Sequence, residues 1–187
     1  MIITIARQAG CGAADVGAML ASHYGVKLYT RHDLLLKAKE MGLYEELYDF
    51  FSEQPIDYLA MAATMQEDAV NEVRERLTDA LLKTLAGEDC VIVGRCANIM
   101  LASREDLITV FLHAPKSERI AHIQAQYDFD YEQAEDYVDR LDDERSSYHF
   151  YYTGHTWGDA ADYDIALDVH RFSIERTAQL IIDAIKH

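Results

Sequence analysis

Two glycines stand between an apolar run and a stretch rich in helix formers near the start of the chain. Ile2 to Ala6 is a β-branched run typical of a buried strand, and apolar residues recur at helical spacing from Ala13 to Tyr24. A glycine loop between a strand and a helix turns backbone N–H groups and the positive end of the helix toward an anion. The loop is therefore predicted to cradle phosphate through Gly10, Cys11, Gly12, Ala13 and Ala14. The alternative is a tight turn, in which glycine only permits the backbone path.

The loop departs from the two common phosphate-binding signatures. The pattern G-x-G-x-x-G needs glycine where Asp15 stands. When the second glycine of G-x-x-x-x-G-K-[ST] is placed on Gly12, its first glycine falls on Arg7, its lysine on Ala13 and its hydroxyl residue on Ala14. The loop alone leaves both interpretations open.

Arginines form the second group of candidate residues. Phosphoryl transfer needs positive charge where the transferring group gathers negative charge, and the planar fork of arginine grips phosphate oxygens in pairs. Arg7 and Arg95 follow predicted strands, where a charged side chain has no cheap solvated alternative. Arg140 and Arg145 lie on an acidic helix, and Arg74 lies on a long helix predicted from 57 to 85. These five are candidates for gripping phosphate.

Several of these candidates have an ordinary structural interpretation as well. Arg140 is spaced to pair with Asp136 or Glu144 on the surface of a helix. Asp33 could contact a base or sugar, or act as a helix N-cap. Cys96 could face a pocket or be a small buried thiol.

Composition limits the classes of function. The chain has 187 residues and a net charge of −16, which favours one domain and argues against a nucleic-acid polymer as partner. No apolar run reaches membrane-spanning length, and the N-terminal run is too short for a signal peptide, so no membrane partner is expected and the cytoplasm is the expected compartment. Three irregularly spaced cysteines predict neither a disulfide framework nor a zinc site. A small phosphorylated ligand is compatible with the acidity if arginines gather locally, and a homo-oligomer stays open.

Strands and helices alternate along the chain. Besides the first strand, strands are predicted at 26–29, 90–93, 107–112 and 163–169. Helices are predicted at 33–41, 117–126 and 131–148, and a closing helix is capped by Ser173. Such alternation predicts an α/β fold with a mostly parallel sheet, in which ligands bind where the strands end.

Four segments, taken in order, resemble the cytidylate kinase-like family. Residues 5–13 (IARQAGCGA) resemble its opening I-S-R-E-x-G-S-G-G, and residues 91–95 (VIVGR) resemble a strand that ends in Gly-Arg. Residues 110–115 with Arg119 are similar to its next strand and helix start. Residues 151–154 with 157–159 and 163–164 are similar to its C-terminal signature.

The resemblance implies a three-layer P-loop kinase-like fold with a parallel sheet of about five strands. It implies a core at 1–35 and 86–187, a helical acceptor-binding insert at about 36–85 and a lid at about 128–158. It also implies ATP and Mg²⁺ as cofactors, and phosphoryl transfer to a pyrimidine nucleotide such as CMP or dCMP, or to a related small acceptor. Asp33, Arg74 and Arg95 would bind the acceptor, and Arg7, Arg140 and Arg145 would act on the transferring group.

Two departures from the family pattern leave the activity open, and the first of them favours a second hypothesis. True cytidylate kinases carry lysine where this chain has Ala13, and aspartate where it has Cys96. A nucleotide-binding regulatory protein that kept the fold and lost transfer would tolerate both changes.

Arg145 is a stronger candidate than Arg140. Five positions on a helix place the two side chains about 140° apart, so one face cannot carry both. Ser146 and Ser147 predict that the helix ends near them, which would leave Arg145 free in the last turn to reach phosphate as a lid closes.

Overall fold

The computed structural model describes residues 1–42, 44, 72, 75, 76, 78–80, 82, 83, 85 and 87–185. Most of the predicted insert, including Arg74, lies outside these residues. The described residues between 72 and 85 are helical, as the sequence pattern predicts.

A five-stranded parallel sheet forms the centre of the fold. Its strands are β1 (Ile2–Arg7), β2 (Lys27–Tyr29), β3 (Cys90–Val93), β4 (Leu107–His113) and β5 (Ile165–Asp168). They lie in the order β2-β3-β1-β4-β5, and every neighbouring pair is parallel. All five strands therefore end at one edge of the sheet, where the loops after β1 and β3 lie side by side.

Helices cover both faces of the sheet, which makes the three predicted layers. They are α1 (Ala13–Tyr24), α2 (Arg31–Glu40), α3 (Ala97–Met100), α4 (Lys116–Tyr127), α5 (Tyr131–Thr153) and α6 (Val169–Ile185). Alternate strand residues enter opposite cores. Ile2 and Ile92 pack on one face with Tyr148 and Tyr152, while Ile3 and Ile5 pack on the other face with α1 and α6. This period of two is expected for a sheet that is buried on both sides.

The long acidic helix is where the structure departs most from expectation. The predicted end near Ser146 is wrong, because α5 continues to Thr153 and is capped by Gly154 in the left-handed conformation. Tyr148, Tyr151 and Tyr152 recur at helical spacing and are buried against the core. Their burial stabilises helix across two serines whose own helix propensity is only moderate.

The other elements agree closely with the sequence pattern. The predicted bounds of the first helix, 13–24, are those observed, and Gly25 is its left-handed cap. Ser173 breaks α6 with φ 60° and ψ 166°, and its hydroxyl accepts a hydrogen bond from Arg176 N at 3.4 Å. The predicted capping role of Ser173 is therefore confirmed. No helix in the described part of the chain is long and apolar enough to cross a membrane.

Leu20 provides a test of how α1 is held against the sheet. It is fully buried, whereas its neighbour Met19 is 38% exposed. We expect Leu20→Ala to lower the free energy of unfolding by about 2–5 kcal/mol, since it removes apolar contacts and leaves a cavity. The matched control Met19→Ala should change it by about 0.5 kcal/mol or less. Equal losses in chemical denaturation would contradict the packing described for α1.

Candidate anion-binding site

The glycine loop, residues 8–12, leaves β1 by extending the sheet for one more residue. Gln8 N donates to Leu112 O at 3.0 Å, as a further rung of the β1–β4 ladder. The chain then turns through Gly10 and Gly12, which have φ 78° and φ 59°. These left-handed conformations favour glycine, and a Cβ at Gly10 would also lie only 2.7 Å from the carbonyl oxygen of Arg119. Gly12 is the N-cap residue of α1.

Five consecutive backbone N–H groups at this turn, those of residues 10–14, donate to no acceptor in the described part of the chain. Further along α1, Asp15 N and Val16 N already bond to Gly12 O. Unpaired N–H groups at a helix N-terminus attract an anion, because each needs an acceptor and the helix dipole is positive there. The geometry fits the predicted phosphate cradle better than a closed turn.

Arg7 brings positive charge to the same place. A Cβ at Gly94 would lie 2.5 Å from Arg7 Nη1, so the guanidinium lies directly over the backbone that follows β3. It donates no hydrogen bond to any residue that the structure describes. Burial and the neighbouring charges of Arg145 and Arg95 lower the pKa of Arg7 to about 9. Burial and the repulsion among these guanidinium groups therefore outweigh the nearby negative charge of Asp142.

Arg145 and Arg95 complete the cluster. Arg145 extends from the interior of α5, and its Nη1 donates to the carbonyl oxygen of Arg7 at 3.3 Å. Burial lowers the pKa of Arg145, partly offset by the nearby charge of Asp142. Arg95, with φ 60°, has its guanidinium carbon 4.4 Å from the centre of the Tyr148 ring. The carboxyl ends of β1 and β3 thus bring together residues far apart in the sequence.

A cleft of about 740 Å³ opens above the glycine loop. Its floor is formed by residues 10–14 with Arg7 and Gln8. The start of α2 forms one wall, and α4 and α5 form the other. Side chains on these walls belong to Thr30, Arg31, His32, His122, Gln126, Tyr127, Tyr137 and Arg145. A cleft of this size is large enough for a nucleotide-sized ligand.

The structure does not bring every predicted site residue to the cleft. Arg140 is 57% exposed and pairs with Glu144 at 2.9 Å, which is the second of its two predicted helix partners. Asp33 is the third residue of α2, and its Oδ2 accepts from Thr30 N at 2.8 Å and from Thr30 Oγ1 at 2.6 Å. The N-cap is therefore Thr30 and not Asp33, and these hydrogen bonds lower the pKa of Asp33. Arg95 is not among the residues that line the cleft. Arg145 does line it, but from the middle of α5 and not from a free last turn.

The two cysteines of the site are buried and held neutral. Burial raises the pKa of Cys11 to about 12 and that of Cys96 to about 12. Cys96 is 7% exposed and packs in the core with Tyr148 and Tyr152, which agrees with the interpretation as a small buried thiol. Within the described residues, no three His, Cys, Asp or Glu side chains are grouped to hold a metal ion.

Two residues that support the loop were not identified as functional from the sequence. Arg119 is 6% exposed, and it donates to the carbonyl oxygens of Ala114 at 3.1 Å and Ala9 at 3.2 Å. Asp142 accepts from Ala9 N at 2.7 Å and from Arg119 Nη1 at 2.6 Å. A signal for Arg119 was present in the motif that it shares with Pro115, but Asp142 is one of many acidic residues on its helix.

The family model of the cytidylate kinase-like family matches residues 2–171. No curated protein matches the chain.

Solved structures with the same fold include an uncharacterized protein from Eubacterium ventriosum. It is 26% identical, with a TM-score of 0.76, and the match covers 100% of this chain and 98% of that one. Shikimate kinase from Acinetobacter baumannii is 15% identical with a TM-score of 0.53, covering 98% and 92%. Shikimate kinase from Bacteroides thetaiotaomicron is 13% identical with a TM-score of 0.53, covering 100% and 99%.

Gly94 provides a test of the position of Arg7. Gly94→Ala and the control Gly87→Ala should each cost about 1–2 kcal/mol of stability, since both positions have positive φ. Only at Gly94 would the new Cβ meet the Arg7 guanidinium, while a Cβ at Gly87 has nothing within 4 Å. We expect pyrophosphate to raise the melting temperature of Gly87→Ala as in the wild type and that of Gly94→Ala much less. The same pyrophosphate response in both variants would contradict a role for Arg7 in holding an anion.

Proposed function

Because the chain belongs to the cytidylate kinase-like family and has the P-loop kinase fold, we propose that it is a phosphotransferase acting on nucleotides. It would move the γ-phosphoryl group of ATP to a pyrimidine nucleotide such as CMP or dCMP, or to a related small acceptor. The observation that carries the proposal is the set of N–H groups at residues 10–14, which donate to no acceptor among the described residues and line a cleft beside Arg7 and Arg145.

The chain's own groups divide the work of binding and transfer. The N–H groups of the loop hold the donor phosphates, since they are fixed in direction before any ligand arrives. Arg7 and Arg145 hold the transferring group, because their mutual repulsion in a half-buried site is relieved when negative charge develops between them. The acceptor would lie toward Arg95, which follows β3, and toward the start of α2, which lines the cleft.

The lysine that normally reaches the β- and γ-phosphates is replaced by Ala13, which is 4% exposed and offers only a methyl group. The half-buried Arg7 guanidinium, one residue before the loop, is the cation that would take its place.

Mg²⁺ fits the site through one carboxylate. The hydroxyl ligand of the phosphate-loop pattern is missing at Ala14, but Asp15 lines the cleft in the first turn of α1. Mg²⁺ commonly binds one or two carboxylates together with substrate phosphates, so Asp15 would hold it. When bound, the ion neutralises charge on the phosphate oxygens.

The identity of the acceptor depends on the region near Cys96. A buried neutral thiol cannot accept a hydrogen bond from a base as strongly as the carboxylate found there in cytidylate kinases. Acceptors besides CMP and dCMP therefore belong in any screen. The proposal also places the protein in the cytoplasm, with a small molecule as its partner.

A nucleotide-binding regulatory protein without transfer is the second candidate. The absence of a side-chain cation at Ala13 favours it, and the cluster of arginines at the cleft favours the enzyme. Tight ATP binding with no phosphorylated product from any nucleoside monophosphate would identify the regulatory protein.

Arg145 and Arg140 provide a matched pair on one helix for testing the site. Arg145→Ala should weaken ATP binding by about 2 kcal/mol, roughly thirtyfold, since a charged hydrogen bond contributes about 1.5–3 kcal/mol. Arg140→Ala should leave the affinity unchanged, because Arg140 is exposed and paired with Glu144. Calorimetric titration with ATP measures both. Equal affinities in the two variants would overturn the proposed site.

We expect phosphoryl transfer to be slow compared with that of an ordinary nucleotide kinase. The contact missing here is that of the phosphate-loop lysine, which Ala13 replaces. Losing one such preorganised electrostatic contact costs about 3–4 kcal/mol, roughly a hundredfold to a thousandfold in rate. Turnover should be measured with ATP, Mg²⁺ and each nucleoside monophosphate in turn, and Arg7→Ala should abolish what remains. Rapid turnover that survives Arg7→Ala would show that another cation replaces the lysine.

A further inference from the structure

The first half of the glycine loop is held by two side chains from helices far along the chain. Asp142 Oδ1, on α5, accepts from Ala9 N at 2.7 Å. Arg119 Nη1, on α4, donates to Ala9 O at 3.2 Å. Both the N–H and the carbonyl group of Ala9 are therefore bound to the pair formed by α4 and α5, which we call the α4–α5 hairpin (residues 116–153).

The two side chains also bind each other. Arg119 Nη1 lies 2.6 Å from Asp142 Oδ2, and the two side chains are only 7% and 18% exposed. Arg119 Nε is held by Ala114 O at 3.1 Å, which fixes the direction of the guanidinium. Partly buried, charge-assisted hydrogen bonds of this kind are strong and directional, and removing one partner leaves the other charge uncompensated.

Apolar packing also connects the glycine loop to the α4–α5 hairpin. The Ala9 side chain is buried in an apolar cluster with Ile120, Ile123, Ala134 and Val138, all of them on the hairpin. Gly10 approaches the hairpin so closely that a Cβ would lie 2.7 Å from Arg119 O. The loop therefore rests on the hairpin directly before the N–H groups that face the cleft.

We propose that Asp142 is a positioning residue, which acts with Arg119 to hold the glycine loop in its anion-binding conformation and so couples the α4–α5 hairpin to the bound phosphate. The proposal rests on the proposed function insofar as the anion is a nucleotide. The hairpin cannot swing open as a separate lid without releasing Ala9. Because coupling between two sites is reciprocal, a nucleotide that orders the loop also tightens the hairpin.

The direction of the change in ATP affinity distinguishes a positioning role of Asp142 from a purely electrostatic one. Asp142 Oδ1 lies 3.9 Å from Arg145 Nη1, so it places negative charge beside the cleft. Removing that charge should strengthen ATP binding if Asp142 acts only through its field. Removing a support of the loop should weaken ATP binding.

Asp142→Asn and Asp139→Asn form the matched experiment, with ATP affinity measured by calorimetry. Both variants remove one negative charge from α5 and one contact between α4 and α5, since Asp139 pairs with Lys116 at 2.8 Å, but Asp139 is 53% exposed and does not touch the loop. We expect Asp142→Asn to weaken ATP binding roughly tenfold to a hundredfold, as the loss of a hydrogen bond to a charged group does. Asp139→Asn should stay within about twofold of the wild type. Unchanged or tighter binding in Asp142→Asn would overturn the proposal.

Backbone amide exchange provides a second measurement. It does not depend on enzymatic activity, and its first part uses only the wild-type protein. In the wild type, ATP should slow the exchange of hairpin amides around Val138 and Leu141, and an unchanged rate on ATP binding would overturn the coupling. Without ATP, the Ala9 amide should exchange faster in Asp142→Asn than in Asp139→Asn, while Ile3 and Ile5 keep equal rates in both. Absence of ATP binding in the wild type would refute the nucleotide function alone, and the comparison at Ala9 would still decide the positioning role.

Discussion

The arrangement of the site depends on the hydrogen bonds and the ion pair that the Arg119 guanidinium makes. It is buried at the point where the glycine loop, the end of β4 and the α4–α5 hairpin meet, and its partners are Ala114 O, Ala9 O and Asp142. A buried charge is stable only when it is paired and fully hydrogen-bonded, so these partners must converge at one place. Satisfying one guanidinium therefore fixes the path of the backbone that leads into the anion site.

The same edge of the sheet contains a second group of charged side chains, which repel one another. Arg7, Arg95 and Arg145 are brought together by the ends of β1 and β3 and by α5, and their repulsion contributes to the lowered pKa of Arg7. Arg119 has its counter-charge built into the fold, whereas Arg7 has no acceptor among the described residues. The contrast separates a structural cation from one that is suited to a ligand. Under the proposed function, Arg7 would supply the positive charge that Ala13 lacks.

The continuous α5 bears on the lid that the family resemblance predicts at about 128–158. A helix that ended near Ser146 would have left Arg145 on a loose segment, free to approach a ligand only on closure. In the structure Arg145 is anchored within 23 residues of helix and already bonds to Arg7 O. Preorganised charge of this kind needs little rearrangement when a phosphate arrives, which favours binding and transfer alike.

The sequence by itself determined the features that depend on neighbours along the chain. Alternating apolar residues gave the strands, helical spacing and Gly25 gave the bounds of α1, and Gly10 with Gly12 marked the loop, because these patterns reflect local backbone geometry. The order of the motifs was also enough to identify the family, which the family model confirms. Only the tertiary structure decided which distant side chains meet. Arg119 and Asp142 are 23 positions apart, and nothing local distinguishes Asp142 from the other carboxylates of α5. The length of α5 was decided in the same way, since burial of Tyr148 and Tyr152 against the core outweighs the weak local preference of two serines to end a helix.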